Sequence, residues 1–263
     1  MKPFQVILIF ILAIVLIIVM VRSCQDDYVI EPEQEETTEP DASSDESPFI
    51  PPFVSEEDTD SISSSTNPSI WPDSIFAVVS NANYLSQIDK DVIVELNKCR
   101  TNPSRYAKEA LVPFLNKMSS SGVYVNSEGL NIRTSEGKSA VQEAIDALNS
   151  QSPLNMLRPK QYLCLAATDH CKDQGPQSLV GHGGSDGSSP MSRVRRHNPK
   201  CRGVGENIDY GSSTGAEIIL SLVVDDGVPD RGHRDNIFHD YKYVGTAFGP
   251  HKGFRYMCVL DFE

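Results

Sequence analysis

A break in polarity near the start of the chain restricts its fold more than any other feature. Residues 4–21 are apolar except for Gln5, and residues 24–75 then carry fifteen Asp and Glu, no Lys or Arg, and a background of Ser, Thr and Pro. At about 1.5 Å per helical residue the apolar run nearly spans a hydrocarbon core of roughly 30 Å. It exceeds the usual signal-peptide core, which favours an uncleaved signal anchor over residues 1–23, while Val21, Arg22 and Ser23 leave a cleaved signal peptide open. Either reading sends the rest of the chain outward, secreted or held at the membrane by its N-terminal segment. The acidic stretch 24–75 has too little apolar surface to offset its ordering entropy and reads as a disordered stalk. Its clusters "PFIPPFV" and "SIWPDSIF" are the parts able to dock on the domain behind them.

The folding unit is therefore expected over residues 76–263. That stretch holds 21 acidic and 21 basic residues, so the formal charge of −13 comes from the leader and stalk. A neutral domain lacks the electrostatic footprint of a nucleic-acid binder, and no nucleic-acid partner is expected. Five cysteines lie in it, at 99, 164, 171, 201 and 258. In an exported chain the expectation is two disulfides and one spare thiol, with other pairings open, and no C-x-x-C pair suggests structural zinc. No N-x-S/T sequon is present.

Helical spacing comes first. Val92, Ile93 and Leu96 mark a helix that stops before Pro103; Val141, Ile145 and Leu148 mark a second. "RPKQYLCLAATDHCKDQG" reads as a third, closed near Gly175, and "TGAEIILSLVVDD" as a fourth. Strand-like runs come after them: "GVGENIDYG", then "YKYVGTAFG" and "FRYMCVLDFE" as a hairpin across "GPHKG". Helices first and strands last argue an α+β domain, with helices covering an antiparallel sheet.

Three polar clusters interrupt this scaffold. "LVGHGGSDGSSP" sets His182 in a glycine-rich loop; "GVGENIDYG" sets Glu206 among small and apolar neighbours; "DDGVPDRGHRDNIF" sets Asp225 and Asp226 at a helix end and His233 in the next turn. Two imidazoles with carboxylates are a coherent donor set for zinc, with His182 and His233 as its ligands, though no H-E-x-x-H spacing supports it. A structural reading stands beside it: Glu206 holding loop amides and His233 pegging the corner at Asn236. His170 reads as a core or helix-face residue, and His197, His239 and His251 as surface or loop residues. "RVRR", 193–196, reads as a solvated turn. Neither Ser185 nor Ser188 sits in a nucleophile elbow, and Cys171 points along a helix, so no catalytic residue is assigned.

The segments "NKCRTNPSRYA", "GHGGSDGSSPMSRV", "GVGENIDYG", "GHRDNIF" and "CVLDF" together resemble the CAP superfamily. It takes in cysteine-rich secretory proteins, insect venom antigens, plant pathogenesis-related proteins and microbial SCP-like proteins. The resemblance covers about residues 84–263 and is strongest to the microbial branch. It implies a three-layer α-β-α sandwich with a mixed, mainly antiparallel sheet, and a shallow cavity where His182, Glu206 and His233 meet a fourth, acidic group. The family's glutamate at that fourth position is replaced here by Asp225 or Asp226. The resemblance further implies binding of a lipid-like or other hydrophobic small molecule, or of a surface partner, with a divalent cation such as zinc in some members. A metal-dependent hydrolase using His182, Glu206 and His233 is the alternative.

Overall fold

A computed structural model describes residues 70–263. The leader expected over 1–23, and the stalk up to residue 69, lie outside the described residues. Within the described range no helix is long and apolar enough to cross a membrane.

The first helix, α1 (Asp73–Ser80), begins inside the "SIWPDSIF" cluster. Ile75 and Val79 enter the core. Trp71 just before it stacks on Arg105, 4.1 Å from the ring centroid, and donates to Glu109 Oε2 at 2.9 Å. The cluster thus docks on the domain behind it. The longer α2 (Gln87–Thr101) opens with a capping box between Ser86 and Asp89 and stops at Asn102 because Pro103 is next. The same Asn102 side chain then caps α3 (Pro103–Tyr106), which runs through a π-helical turn (Ala107–Leu111) into α4 (Val112–Lys117). A small hairpin, β1 (Val123–Val125) and β2 (Asn131–Arg133), leads to α5 (Lys138–Ser150), whose Val141, Ile145 and Leu148 are buried as their spacing requires.

The remaining elements alternate across one sheet. They are β3 (Arg158–Pro159), α6 (Gln161–Gln177), α7 (Pro190–His197), β4 (Gly205–Tyr210), α8 (Gly215–Val224), α9 (Gly232–Ile237), β5 (Tyr243–His251) and β6 (Arg255–Phe262). Strand order is β3-β5-β6-β4, with β3 parallel to β5 and the other two pairings antiparallel. Helix α6 covers one face and carries α7; α2 and α8 cover the other. The result is the α+β, three-layer sandwich expected from the sequence.

Period-two alternation divides β6 between the layers. Cys258, Leu260 and Phe262 join the core under α2 and α8, while Met257 and Val259 face α6. Close approach of α6 is set by glycine: a Cβ at Gly245 would lie 2.2 Å from the Cys164 nitrogen, and one at Gly175 would lie 2.2 Å from the Pro250 oxygen. Gly175 therefore lies inside α6 as a packing residue, and the helix ends two residues later, before Ser178 in the left-handed region.

Two expectations are corrected here. The five domain cysteines are all free and all buried. They sit on separate core positions of α2, α6, β6 and the loop after α7, where each fills space as a small hydrophobe. Burial pushes Cys164 and Cys171 up to about 12 and Cys201 to about 11, so none is a reactive thiolate. His251 is not a surface residue. It is buried at the end of β5, donates through Nε2 to the Leu179 carbonyl at 2.8 Å, and accepts from the Gly253 and Phe254 amides, closing the hairpin.

Candidate functional site

The edge strand β4 carries the site. Because side chains alternate along a strand, Glu206 and Ile208 face α6, whereas Asn207 and Asp209 face α8 and α9. Each side holds one histidine–carboxylate pair.

On the α6 side, His182 Nδ1 meets Glu206 Oε1 at 2.7 Å. The loop that carries His182 is tied to α6 at several points: the Ser185 amide donates to Asp173, and Gln174 donates to the carbonyls of Gly181 and Gly183. His170, buried as a core residue, bonds the Gly181 carbonyl through Nε2. The second oxygen of Glu206 accepts from Arg193 Nη2 at 2.6 Å, and Arg193 Nη1 also donates to the carbonyls of His182 and Ser188. Arg193 belongs to the "RVRR" run read from sequence as a solvated turn. That expectation fails, because the run forms part of α7 and Arg193 is 1% exposed. The signal was available: Ser189 and Pro190 make an N-cap and first-turn pair, and Ser189 does accept from the Ser192 amide. Burial pushes the Glu206 carboxyl up, but the His182 bond and the Arg193 charge outweigh it and hold Glu206 below the usual carboxylate range.

On the other side, Asp225 closes α8 in the left-handed region, φ 57°, a conformation aspartate tolerates better than most residues. Its carboxylate accepts twice from His233, from the backbone amide at 2.9 Å and from Nδ1 at 2.7 Å. Burial opposes charge on this ring, but the bond to Asp225 and the charges of Asp225, Asp209 and Asp230 prevail and raise His233 above the ordinary histidine value. Asp209, buried beneath, is pushed up to about 6 by burial, with Ser221, Ser212 and the His233 charge pulling the other way. Asp226 faces elsewhere and accepts from the amides of Ser135 and Glu136, pinning the loop before α5. Of the two aspartates proposed for the fourth position, Asp225 is the one paired with a histidine.

The two motifs are stitched together by amides. Asn207 Nδ2 donates to the His233 carbonyl at 2.8 Å, and Asn236 Nδ2 donates to Asn207 Oδ1 at 2.9 Å. Hence His182 is anchored through its ring to residue 206 and His233 through its carbonyl to residue 207, whose Cα atoms lie about 3.8 Å apart. Both rings are 22% exposed. With Nδ1 committed to a carboxylate, each imidazole keeps Nε2 for solvent or a ligand. Among the described residues no three His, Cys, Asp or Glu side chains converge in an arrangement able to hold a metal ion.

Residues 97–262 match the model of the CAP family, described as the cysteine-rich secretory protein family. No curated protein matches the chain. Among solved structures it is similar to an outer surface protein of Borrelia burgdorferi, with 17% identity over 46% of this chain and 83% of that one, at a TM-score of 0.36. It is also similar to an extracellular SCP-domain protein of Bacillus anthracis, with 18% identity over 48% of this chain and 37% of that one, at a TM-score of 0.35.

Proposed function

Because the chain belongs to the cysteine-rich secretory protein (CAP) family, we propose that it is a binding module exposed outside the cell, secreted or tethered by its N-terminal segment, rather than a hydrolase. Its ligand is a lipid-like or other small amphiphile, or a surface partner, whose polar group meets His182 and His233. The observation that carries this reading is the commitment of both carboxylates. Glu206 spends its two oxygens on His182 and Arg193, and Asp225 spends its two on His233. Neither is left as a general base, and neither is left as a third metal ligand of the kind hydrolytic zinc sites use.

A carboxylate behind each imidazole is nevertheless the arrangement that favours a metal-binding histidine, since it fixes the tautomer and strengthens Nε2 as a donor. A divalent cation such as zinc would be held by His182 and His233 alone, the rest of its shell coming from solvent or from the bound ligand, and would supply a positive centre for an anionic headgroup. Asp225 and Glu206 orient the rings; Asn207 and Asn236 hold the two motifs in register.

The test is direct. Protein purified from its native host is extracted and its lipids identified, and zinc is titrated calorimetrically into the wild type, His182→Ala and His233→Ala. A co-purifying amphiphile lost in either variant supports the module. Turnover of peptide or ester substrates that tracks added zinc and disappears in Glu206→Gln would establish the hydrolase instead.

A further inference from the structure

We propose that Asp261 is a neutral carboxylic acid that donates its proton to Glu206, and that it thereby positions Glu206 and His182 as a further member of the site. Asp261 lies on β6 directly opposite Glu206 on β4 and faces α6, in line with Met257 and Val259. It is fully buried, and neither carboxylate oxygen has a hydrogen-bond donor among the described residues. An ionised carboxylate in that state would carry the desolvation cost of a buried charge with no hydrogen bond to offset it. A protonated carboxyl has a donor of its own, and Glu206 is the acceptor across the strand pair.

The surrounding charges agree. Facing Asp261 are Glu206 on β4, Arg193 on α7, and the thiols Cys164 and Cys171 on α6. One guanidinium serves two carboxyls, so only one of them ionises, as in other carboxyl pairs that share a proton. Arg193 and His182 already bond Glu206, which selects Glu206 as the ionised member. Burial and the Glu206 charge accordingly hold Asp261 well above the usual carboxyl range.

The consequence reaches the surface. Glu206, held in place from behind, keeps His182 Nδ1 committed at 2.7 Å and leaves Nε2 for solvent or a ligand. Asp261 is thus a positioning residue acting through Glu206.

This rests on the proposed binding role of His182 only for its biological meaning, and its test uses no ligand. In the wild type, the side-chain carboxyl carbon of Asp261, followed by NMR, should keep the shift of a protonated acid from about pH 5 to pH 8, where an ordinary aspartate is ionised. Asp261→Asn retains a donor toward Glu206. It should fold with the His182–Glu206 bond in place. It should also gain stability relative to wild type as the pH rises, because the raised acid favours the fold most at low pH and that advantage is lost as pH climbs toward its native value. A carboxylate shift for Asp261 throughout, or an Asp261→Asn stability that does not gain on wild type as the pH rises, would overturn the proposal. The wild-type spectrum decides even if the variant does not fold, and failure to find a lipid or metal ligand leaves both readouts standing.

Discussion

The two histidine–carboxylate pairs of this domain are alike at the ring and different behind it. Each imidazole gives Nδ1 to a carboxylate at 2.7 Å and shows the same fraction of its surface. Behind His182, the carboxylate of Glu206 is buried and balanced by Arg193, itself buried. Behind His233, among the described residues, no arginine reaches the carboxylate oxygens of Asp225, which take the histidine's own ring and amide, with Asp209 and Asp230 adding further negative charge. One pair is a neutralised network that fixes a loop. The other is an acidic nest whose charge depends on whether His233 holds a proton.

The largest effect should come from breaking the first network. Arg193→Met keeps the aliphatic stem on α7 but leaves Glu206 without its counter-ion and frees the carbonyls of His182 and Ser188. Breaking a buried pair from one side costs about 3–5 kcal/mol, and denaturant unfolding should show a loss of that size. The loss should be nearly independent of salt, since both partners are buried.

A smaller effect, with a different pH signature, is expected on the second pair. Asp225→Asn tolerates the left-handed backbone but removes the charge and turns one of the two accepting oxygens into an NH2 group, so a loss of about 1–3 kcal/mol is expected, the usual range for a buried bond to a charged group. His233 is raised in the folded state. Its contribution is complete below the unfolded histidine value of about 6.5 and is lost as pH rises through the native value. Wild-type stability should therefore decline above pH ~6.5, and Asp225→Asn should flatten that decline. Asp209 acts in a separate window: it is raised to about 6, so its contribution is lost between the ordinary aspartate value and there. Thermal melts across pH 4–9 resolve the two. An undiminished decline above pH 6.5 in the variant would show that His233 does not draw its charge stabilisation from Asp225.

The same contrast explains what could be read from sequence. Helices at 141–148 and 215–224 and the closing hairpin arise from apolar periodicity, which local residues dictate. His182, Glu206, Asp225 and His233 were legible as polar residues among glycines and small side chains. For Arg193 the Ser189–Pro190 helix start was legible but its burial was not, because a run of three arginines looks solvated until Val194 is placed in the core and turns its neighbour inward with it. Asp261 was legible in principle, since alternation from Met257 and Val259 puts it on a buried face. An acid there is expected to be expelled unless a partner is known, and Glu206 comes from a strand about fifty positions earlier. The cysteines misled for a physical reason as well: an outward-facing chain suggests disulfides, but this core has the size to do without them and uses thiols as filler.

The smallest expected effect separates two adjacent aspartates that sequence could not rank. Asp225 and Asp226 are one residue apart, yet the first accepts from His233 and the second from the amides of Ser135 and Glu136 at 2.5 and 2.8 Å. Asp226 is only partly buried, so water can take over part of what it gives those amides, and Asp226→Ala should cost about 1 kcal/mol or less. The loop before α5 is also held from another side, through Glu136 to Arg231 and the Gly227 amide. The His233 titration, followed by its ring proton resonances, should be unmoved in Asp226→Ala and lowered in Asp225→Asn. If Asp226→Ala lowered the His233 midpoint as far as Asp225→Asn does, the acidic nest would be a diffuse field shared by both residues, and the assignment of the fourth site position to Asp225 alone would fall.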